Sequence, residues 1–278
     1  MMDLLGNPFY QRALATAALI GFANGFFSGI VVLRRTALSV SALSHTMLPG
    51  IALAIFLTGA LSRWNAFIGA LLAALLVGLG SVTVARGNRV GQGTALAVLY
   101  TAAFAAGIAL LPLLDTRQEL EHWLFGDIIA VGNADIWTAF GIGAFTIIAT
   151  NLLMRPILLT LFEPNVAAAQ GVPVRFIQYL VHALLVLALV SSLQAVGCVL
   201  SVGLLVTPAA TVSLLTDRTS ALFWGGGLIG GVASVAAVAI SGKFGIAPGP
   251  AIVMLLGLLF VAAYIFSPKY GLIPRKGR

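Results

Sequence analysis

The chain has 278 residues, 60% of them apolar and only 8% charged, and its formal net charge is +7. Soluble globular domains carry about 25% charged residues, so water is not the main solvent of this chain. The basic excess does not indicate a nucleic-acid partner, because such proteins collect their basic residues on one soluble face, and no soluble domain is visible here. The composition therefore predicts a membrane protein.

Apolar runs that could cross a membrane recur along the whole sequence. A helix needs about 20 apolar residues to cross a hydrocarbon layer of ~30 Å. The runs are continuous and rich in Leu, Ala and Gly, which favours helices over the alternating strands of a β-barrel. We predict an all-α, polytopic bundle of about nine transmembrane helices, in a single domain that covers residues 1–278. The predicted spans are 13–33, 38–61, 65–85, 93–113, 136–154, 176–192, 195–216, 221–240 and 250–267.

The distribution of basic residues predicts the orientation of this bundle. Asp3 lies near the start of the sequence, and no short apolar core with a cleavage site follows it, so we expect the first apolar run to remain as a span. With the C-terminus inside, the cytoplasmic side holds Arg34, Arg35, Arg86, Arg89, Arg155, Arg175, Arg218, Lys269, Arg275, Lys276 and Arg278, and the outer side holds Arg12, Arg63, Arg117 and Lys243. Cytoplasmic loops are enriched in Lys and Arg. We therefore expect a multi-pass protein of the cell membrane with its N-terminus outside and its C-terminus in the cytoplasm.

Two long segments between the spans are too polar to cross the membrane. Residues 114–135 carry acidic side chains and His122 on the predicted outer side, together with aromatic residues suited to a membrane interface. We expect this segment to re-enter the membrane or lie along it. Residues 155–175 fall on the predicted cytoplasmic side. A helix-prone cytoplasmic insert with no catalytic motif indicates a docking segment for another protein.

Glycines recur every four residues on two of the predicted helices. Gly21, Gly25 and Gly29 lie on one face of the first helix, and Gly226 and Gly230 lie on one face of the eighth. Small residues at this spacing let two helices approach closely in a membrane. We expect close helix crossings at these faces.

The sequence offers little material for an enzyme. It contains no phosphate-binding loop, because its Gly242 and Lys243 pair is followed by Phe244 rather than by Ser or Thr. Nearly every acidic residue falls in a predicted loop, which leaves no acid–base pair within the spans. Cys198 is the single cysteine, so an intramolecular disulfide and a cysteine metal cluster are both excluded. We expect no catalysis and no resident cofactor.

The second predicted helix is the polar exception among the spans. Ser41, Ser44 and His45 are three and four residues apart and are predicted to share one helix face, and Pro49 and Gly50 follow them. An ionisable group at membrane depth is usually functional, and imidazole is a common transition-metal ligand. Two interpretations stay open, namely a ligand that lines a path and a side chain that hydrogen-bonds a neighbouring helix. For His182, on an otherwise apolar helix, the second interpretation is favoured.

Four stretches of the sequence carry a more specific pattern. Residues 31–54, VVLRRTALSVSALSHTMLPGIALA, place Ser-His and Leu-Pro-Gly on the second helix. They are joined by FEPNVAAAQGV at 162–172, by QAVGCVLSVGLLVTPAATVSLL at 194–215, and by PGPAIVM with Phe266, Pro268 and Gly271 near the end. Together these stretches resemble the ABC-type zinc, manganese and iron importer permeases over nearly the whole chain.

The resemblance implies a specific assembly. Two permeases, either two copies of this chain or this chain and a homologue, would pair around a central path in the membrane lipid. An external metal-binding protein would deliver a divalent metal ion as cargo, and two cytoplasmic ATPase subunits would drive transport. His45, with Ser41 and Ser44, would line the path and His45 would contact the metal. The coupling helix within residues 155–175 would include Glu163, Pro164, Ala167 and Gly171.

The sequence departs from the family pattern at two positions that matter for a metal site. The family usually has an aspartate where this chain has Ser41, and often an acidic residue in the loop where this chain reads FGIAPGP. Carboxylates are the ligands that hard divalent ions prefer. Either a partner permease supplies the acids, or the ion only passes through, or the cargo is a metal complex. We favour a weak, transient contact, since conduction requires release as well as binding.

Three other functions remain as alternatives. A permease for chelated iron or another larger cargo would share the coupling segment, but Ser44 and His45 argue against it. A self-contained secondary transporter or channel would hold its own ion site, typically with carboxylates near the midplane, and the spans lack them. A structural membrane protein without transport is opposed by His45 and by the resemblance.

Overall fold

The computed structural model describes residues 8–59, 62–87, 89–114, 126, 128, 131–198 and 200–267, and within these ranges the regular structure is helical throughout. Eight of the helices are long and apolar enough to cross a membrane. The predicted all-α, polytopic bundle is therefore confirmed. The helices are α1 Pro8–Leu33, α2 Ala37–Thr58, α3 Arg63–Val84, α4 Gln92–Leu110, α5 Asn133–Leu152, α6 Met154–Phe162, α7 Pro164–Ala169, α8 Val174–Ser191, α9 Leu193–Val196, α10 Ser201–Ser213, α11 Thr219–Phe244 and α12 Pro248–Phe266.

Some predictions fall outside the described residues. The acidic residues from 115 to 121, His122 and Asp127 of the outer segment belong to this group, as does the basic tail after residue 267. The orientation of the two termini stays a prediction.

The span predicted at 195–216 is not one continuous helix. The short helix α9 ends at Val196, the next residue, Gly197, has a φ of +84°, and α10 begins only at Ser201. With 13 residues, α10 is about 20 Å long, which is less than the hydrocarbon thickness. Gly197, Cys198 and Ser201 at the break are buried in protein, and the Ser192 hydroxyl donates to the Ser201 hydroxyl across it at 2.9 Å. Irregular backbone at membrane depth is tolerated where protein covers it in this way.

The close helix crossings expected from the glycines are present. Helices α1 and α11 form the most extensive helix pair. A Cβ atom on Gly21 would lie 2.5 Å from the carbonyl oxygen of Gly230, and Gly25 faces Gly226 one turn further along. Helices α2 and α3 cross in the same way, with Gly50 against Gly69. Only residues without a Cβ let the two backbones approach this closely.

The remaining helices arrange themselves around these two crossings. Helices α2, α3 and α4 pack on one another, whereas α1 and α11 pack with α5, α10 and α12. Helix α8 contacts both groups, through α3 on one side and α5 on the other. It therefore connects the group that contains His45 to the rest of the bundle.

Segments that were predicted to share the cytoplasmic side lie at one end of the bundle. The Arg86 guanidinium carbon is 4.9 Å from the centre of the Tyr179 ring, which joins the end of α3 to the start of α8. The Ser267 hydroxyl donates to the Leu214 carbonyl oxygen at 2.5 Å, which joins the end of α12 to the end of α10. Each contact thus joins two helix ends that were predicted to lie on the same side of the membrane.

Candidate permeation site and coupling segment

Helix α2 is held from two sides by small residues. Pro49 lies inside the helix and packs against Gly107 of α4, where any side chain would overlap its ring. Gly50 packs against Gly69 of α3. Proline also removes one backbone hydrogen bond of the helix. At Pro49 and Gly50, α2 is therefore weaker in its own hydrogen bonds but tightly packed against α3 and α4.

His45 lies on α2 one turn before Pro49, about 12 Å from the start of the helix. This distance places the imidazole at membrane depth. The ring is partly exposed and makes an edge contact with Phe104 of α4, with ring centres 5.9 Å apart at 67°. Within the described part of the chain, no hydrogen-bond partner reaches either ring nitrogen. Both nitrogens of His45 are therefore available to a ligand.

The three polar residues of the predicted face do not behave alike. Ser44 is buried, and its hydroxyl donates to the Ser41 carbonyl oxygen of its own helix at 2.8 Å. Ser41 is partly exposed, as His45 is, and lies one turn before it. The structure thus places Ser41 and His45 on the accessible side and turns Ser44 toward the protein interior.

His182, unlike His45, is hydrogen-bonded through both ring nitrogens. Its Nδ1 is 2.8 Å from the Gln178 carbonyl oxygen, and its Nε2 is 2.6 Å from Nε2 of Gln92 on α4. The Gln92 amide nitrogen is a donor, so the bonds fit a ring that carries its proton on Nδ1 and accepts at Nε2. His182 therefore links α8 to α4, as expected, and it differs from His45 in having both nitrogens occupied.

The described residues contain no group of three or more His, Cys, Asp or Glu side chains that could hold a metal ion. A tight transition-metal site needs several converging ligands, and imidazole alone does not provide them. Among the described residues, His45 by itself does not form a tight metal site.

The segment between α5 and α8 forms two short helices. Helix α6 continues from α5 after Leu153, and α7 begins at Pro164, a favoured residue at a helix start. Glu163 and Pro164 are exposed, whereas Ala167 is fully buried and fixes α7 against the bundle. Gly171 is exposed and has a φ of +78°, which reverses the chain toward α8. Residues 163–171 thus form a small exposed surface, the platform, whose inner face is fixed to the bundle by Ala167.

Comparison with known proteins extends this description. The chain is 38% identical over 277 residues to the manganese transport system membrane protein MntC of Halalkalibacterium halodurans, covering 99% of this chain and 93% of the relative. It is 32% identical over 260 residues to the chelated iron transport system membrane protein YfeD of Yersinia pestis, covering 94% of this chain and 86% of the relative. Among solved structures, PsaBC from Streptococcus pneumoniae in complex with Fab superposes with a TM-score of 0.83 at 33% identity, over 97% of this chain and 96% of that one.

A family model agrees with these relatives. The model of the ABC 3 transport family matches residues 7–267, which include all of the helices from α1 to α12. The match therefore includes both the helix that carries His45 and the segment from α6 to α7. This multi-pass membrane protein belongs to the ABC 3 transport family.

Proposed function

We propose that this chain, as a single permease domain, is the membrane-spanning subunit of an ATP-driven importer of divalent transition-metal ions. Membership of the ABC 3 transport family supports the permease role. The observation that carries the site is His45, which lies at membrane depth with neither ring nitrogen bonded within the described chain. An ionisable side chain left in this state within a membrane marks a transport path.

The cargo that the relatives favour is manganese, the metal in the name of MntC. Manganese prefers carboxylate and water ligands, whereas zinc and iron accept imidazole more readily. A hydrated ion that touches His45 in passing satisfies both considerations. A second candidate is chelated iron, because a relative that is 32% identical bears that name. The two cargoes differ in size and are separable by transport assays.

The path is proposed to lie between two permeases. His45 and Ser41 are partly exposed on the surface of the single chain, although they lie at membrane depth. Facing lipid would be unfavourable for an imidazole, so a second permease is the expected neighbour. A two-fold axis along the path would bring one His45 from each copy to the same channel. An external metal-binding protein would supply the ion.

The energy source is proposed to be a separate ATPase subunit, because this sequence contains no phosphate-binding loop. We place its seat on the platform of α7, with Glu163, Pro164 and Gly171 exposed and Ala167 anchoring the helix. The platform lies at the same end of the bundle as the α1–α2 turn, to which α2 connects. Movement of the platform could therefore reach the helix that carries His45.

The test is ATP-dependent uptake into vesicles that contain the permease, its co-purifying ATPase subunit and its binding protein. Manganese, zinc, ferrous iron and an iron chelate are offered separately to the native chain, to His45→Ala and to Leu76→Ala, an exposed apolar position on α3. We expect uptake of a free divalent ion that His45→Ala reduces or redirects and Leu76→Ala does not. Uptake of the chelate alone would support the second candidate, and no ATP-dependent uptake of any cargo would refute the importer.

A further inference from the structure

A cavity of about 230 Å³ lies beside α7 at the end of the bundle where the coupling segment is found. Three elements contribute its polar lining, namely Arg34 from the α1–α2 turn, Thr160 from α6 and Gln178 from α8. Pro164, the first residue of α7, forms part of the wall, and aliphatic side chains of α6 and α8 complete it. The cavity therefore joins the platform to the turn that precedes α2.

Arg34 contributes a positive charge that has no partner among the residues described by the structure. Its side chain is partly buried, and its guanidinium makes no ion pair or hydrogen bond within the described residues. Burial lowers the pKa of this guanidinium from its ordinary value, although arginine keeps its proton in proteins. A partly buried charge without a counter-charge is unfavourable, and the described residues that line the cavity supply no acidic group to balance it.

Thr160 provides a second, independent sign of a missing ligand. The residue is only 8% exposed, and its hydroxyl has no hydrogen-bond partner among the described residues. Buried hydroxyls are nearly always hydrogen-bonded in native proteins. The cavity is thus lined by a guanidinium and the amide of Gln178, the unpaired hydroxyl of Thr160 is buried in its wall, and no carboxylate lies among the described residues that line it. This set of donors matches an oxyanion.

We propose that the cavity receives a carboxylate side chain of the ATPase subunit, which pairs with Arg34 and accepts a hydrogen bond from Thr160. The inference rests on the proposed function, because the seat on α7 is what brings an ATPase to the cavity wall at Pro164. Arginine binds a carboxylate with two parallel hydrogen bonds, which gives strength and a fixed geometry. The volume leaves room for the side chain together with several waters of about 30 Å³ each.

The consequence of this contact is mechanical. Arg34 lies between the end of α1 and the start of α2, and α2 carries His45. A carboxylate held by Arg34 links the ATPase directly to the helix that lines the path, in addition to the contact through α7. Separation of the ATPase subunits would then pull on α2 itself.

The test measures binding of the co-purifying ATPase subunit to purified permease in detergent that contains no anionic lipid. We expect Arg34→Gln to weaken binding roughly 30-fold or more, mainly through faster dissociation, because one partner of a buried charge pair is removed. Arg34→Lys should recover part of the affinity, since it keeps the charge but loses the fork geometry. Thr160→Val should weaken binding about 10-fold. Arg35→Gln removes an exposed charge from the same turn and is the matched control, expected within about 2-fold of the native chain.

Each other outcome has a definite meaning. If the native permease binds no ATPase, the proposed function fails and the inference fails with it. If the native chain binds and Arg34→Gln binds equally well, the inference alone is wrong. Phosphatidylglycerol vesicles could raise the unfolding temperature of the native permease but not that of Arg34→Gln, while ATPase binding stays the same in both. That result would assign the cavity to a lipid phosphate and overturn the inference. If the effects of Arg34→Gln and Glu163→Gln on the unfolding temperature of the free permease are not additive, Arg34 pairs with Glu163 of its own chain, and the inference is again overturned.

Discussion

Arg63 at the start of α3 forms an ion pair with Asp135 in the first turn of α5, with a distance of 2.6 Å between Nη1 of Arg63 and Oδ2 of Asp135. Asp135 also accepts a hydrogen bond from the backbone N–H of Gly132 at 2.8 Å, which caps α5. The two helices belong to different groups in the bundle. The pair therefore joins one group to the other at the end of the bundle opposite the predicted coupling segment.

The two members of this pair should differ in their effect on stability. The Arg63 side chain is 48% exposed, so Arg63→Gln should cost at most about 1 kcal/mol, as solvent-exposed ion pairs do. Asp135→Ala removes the helix cap as well as the ion pair and should cost about 2 kcal/mol. Thermal unfolding of the purified permease at low and high salt measures both. Equal losses for the two variants would contradict the role of Asp135 as a cap.

The glycine crossing between α1 and α11 gives a second prediction. A Cβ atom on Gly21 would lie 2.5 Å from the Gly230 carbonyl oxygen, so Gly21→Ala should push the helices apart and cost about 1–3 kcal/mol. Gly257→Ala on α12 is the matched control, because a Cβ atom there meets nothing within 4 Å. Unfolding temperature in detergent is the measurement. A control variant as unstable as Gly21→Ala would show that helix separation is not the cause.

The long helices of this bundle are predictable because the membrane fixes their length. The span predicted at 65–85 is observed as α3 Arg63–Val84, and the span predicted at 93–113 begins within one residue of α4. The length of an apolar run and the charged residues at its ends are enough to predict such a helix, because every backbone group within lipid must be hydrogen-bonded inside the helix. The glycine crossings follow from the same local reasoning.

The interruption at Gly197 was not predictable from run length. The residues around Gly197 are as apolar as those of a continuous span. The break is possible because other segments of the chain pack over the interrupted backbone. Gly126 packs directly against the backbone of Val196 and Gly197. A contact between segments so far apart in sequence leaves no local pattern.

Sequence spacing predicts where the candidate residues lie along α2 but not which way each side chain turns. Spacing places Ser41, Ser44 and His45 within one broad helix face, yet only the packing of the bundle decides that Ser44 is buried while Ser41 and His45 stay partly exposed. The cavity at Arg34 escaped prediction for the same reason, because its polar lining comes from three separate segments. In the sequence alone, Arg34 indicates only the orientation of the chain in the membrane.

The two histidines should separate stability from transport. His182→Ala removes an interhelical bond of 2.6 Å and leaves Gln92 without this partner, so we expect a loss of about 1–2 kcal/mol in stability. His45→Ala removes no hydrogen bond within the described chain and should leave the unfolding temperature nearly unchanged while it lowers uptake. Paired unfolding and vesicle-uptake assays on both variants test this contrast. A His45→Ala protein that is clearly destabilised would indicate a structural role for that residue.

Gly171 allows a direct test of the coupling segment. Its φ of +78° strains any other L-residue, although a Cβ atom there meets nothing within 4 Å. Gly171→Val should therefore cost about 1 kcal/mol from the backbone alone, and we expect it to uncouple ATP hydrolysis from uptake because the platform changes shape.

Gly245, at the end of α11, has a φ of +68° and is equally open, so Gly245→Val applies the same strain far from α7 along the chain. ATPase activity and metal uptake, measured together in vesicles, compare the two variants. We expect the ratio of ions imported to ATP hydrolysed to fall several-fold in Gly171→Val and to stay near the native value in Gly245→Val. A similar fall in both would trace the defect to general backbone strain, and native coupling in Gly171→Val would remove this residue from the seat of the ATPase.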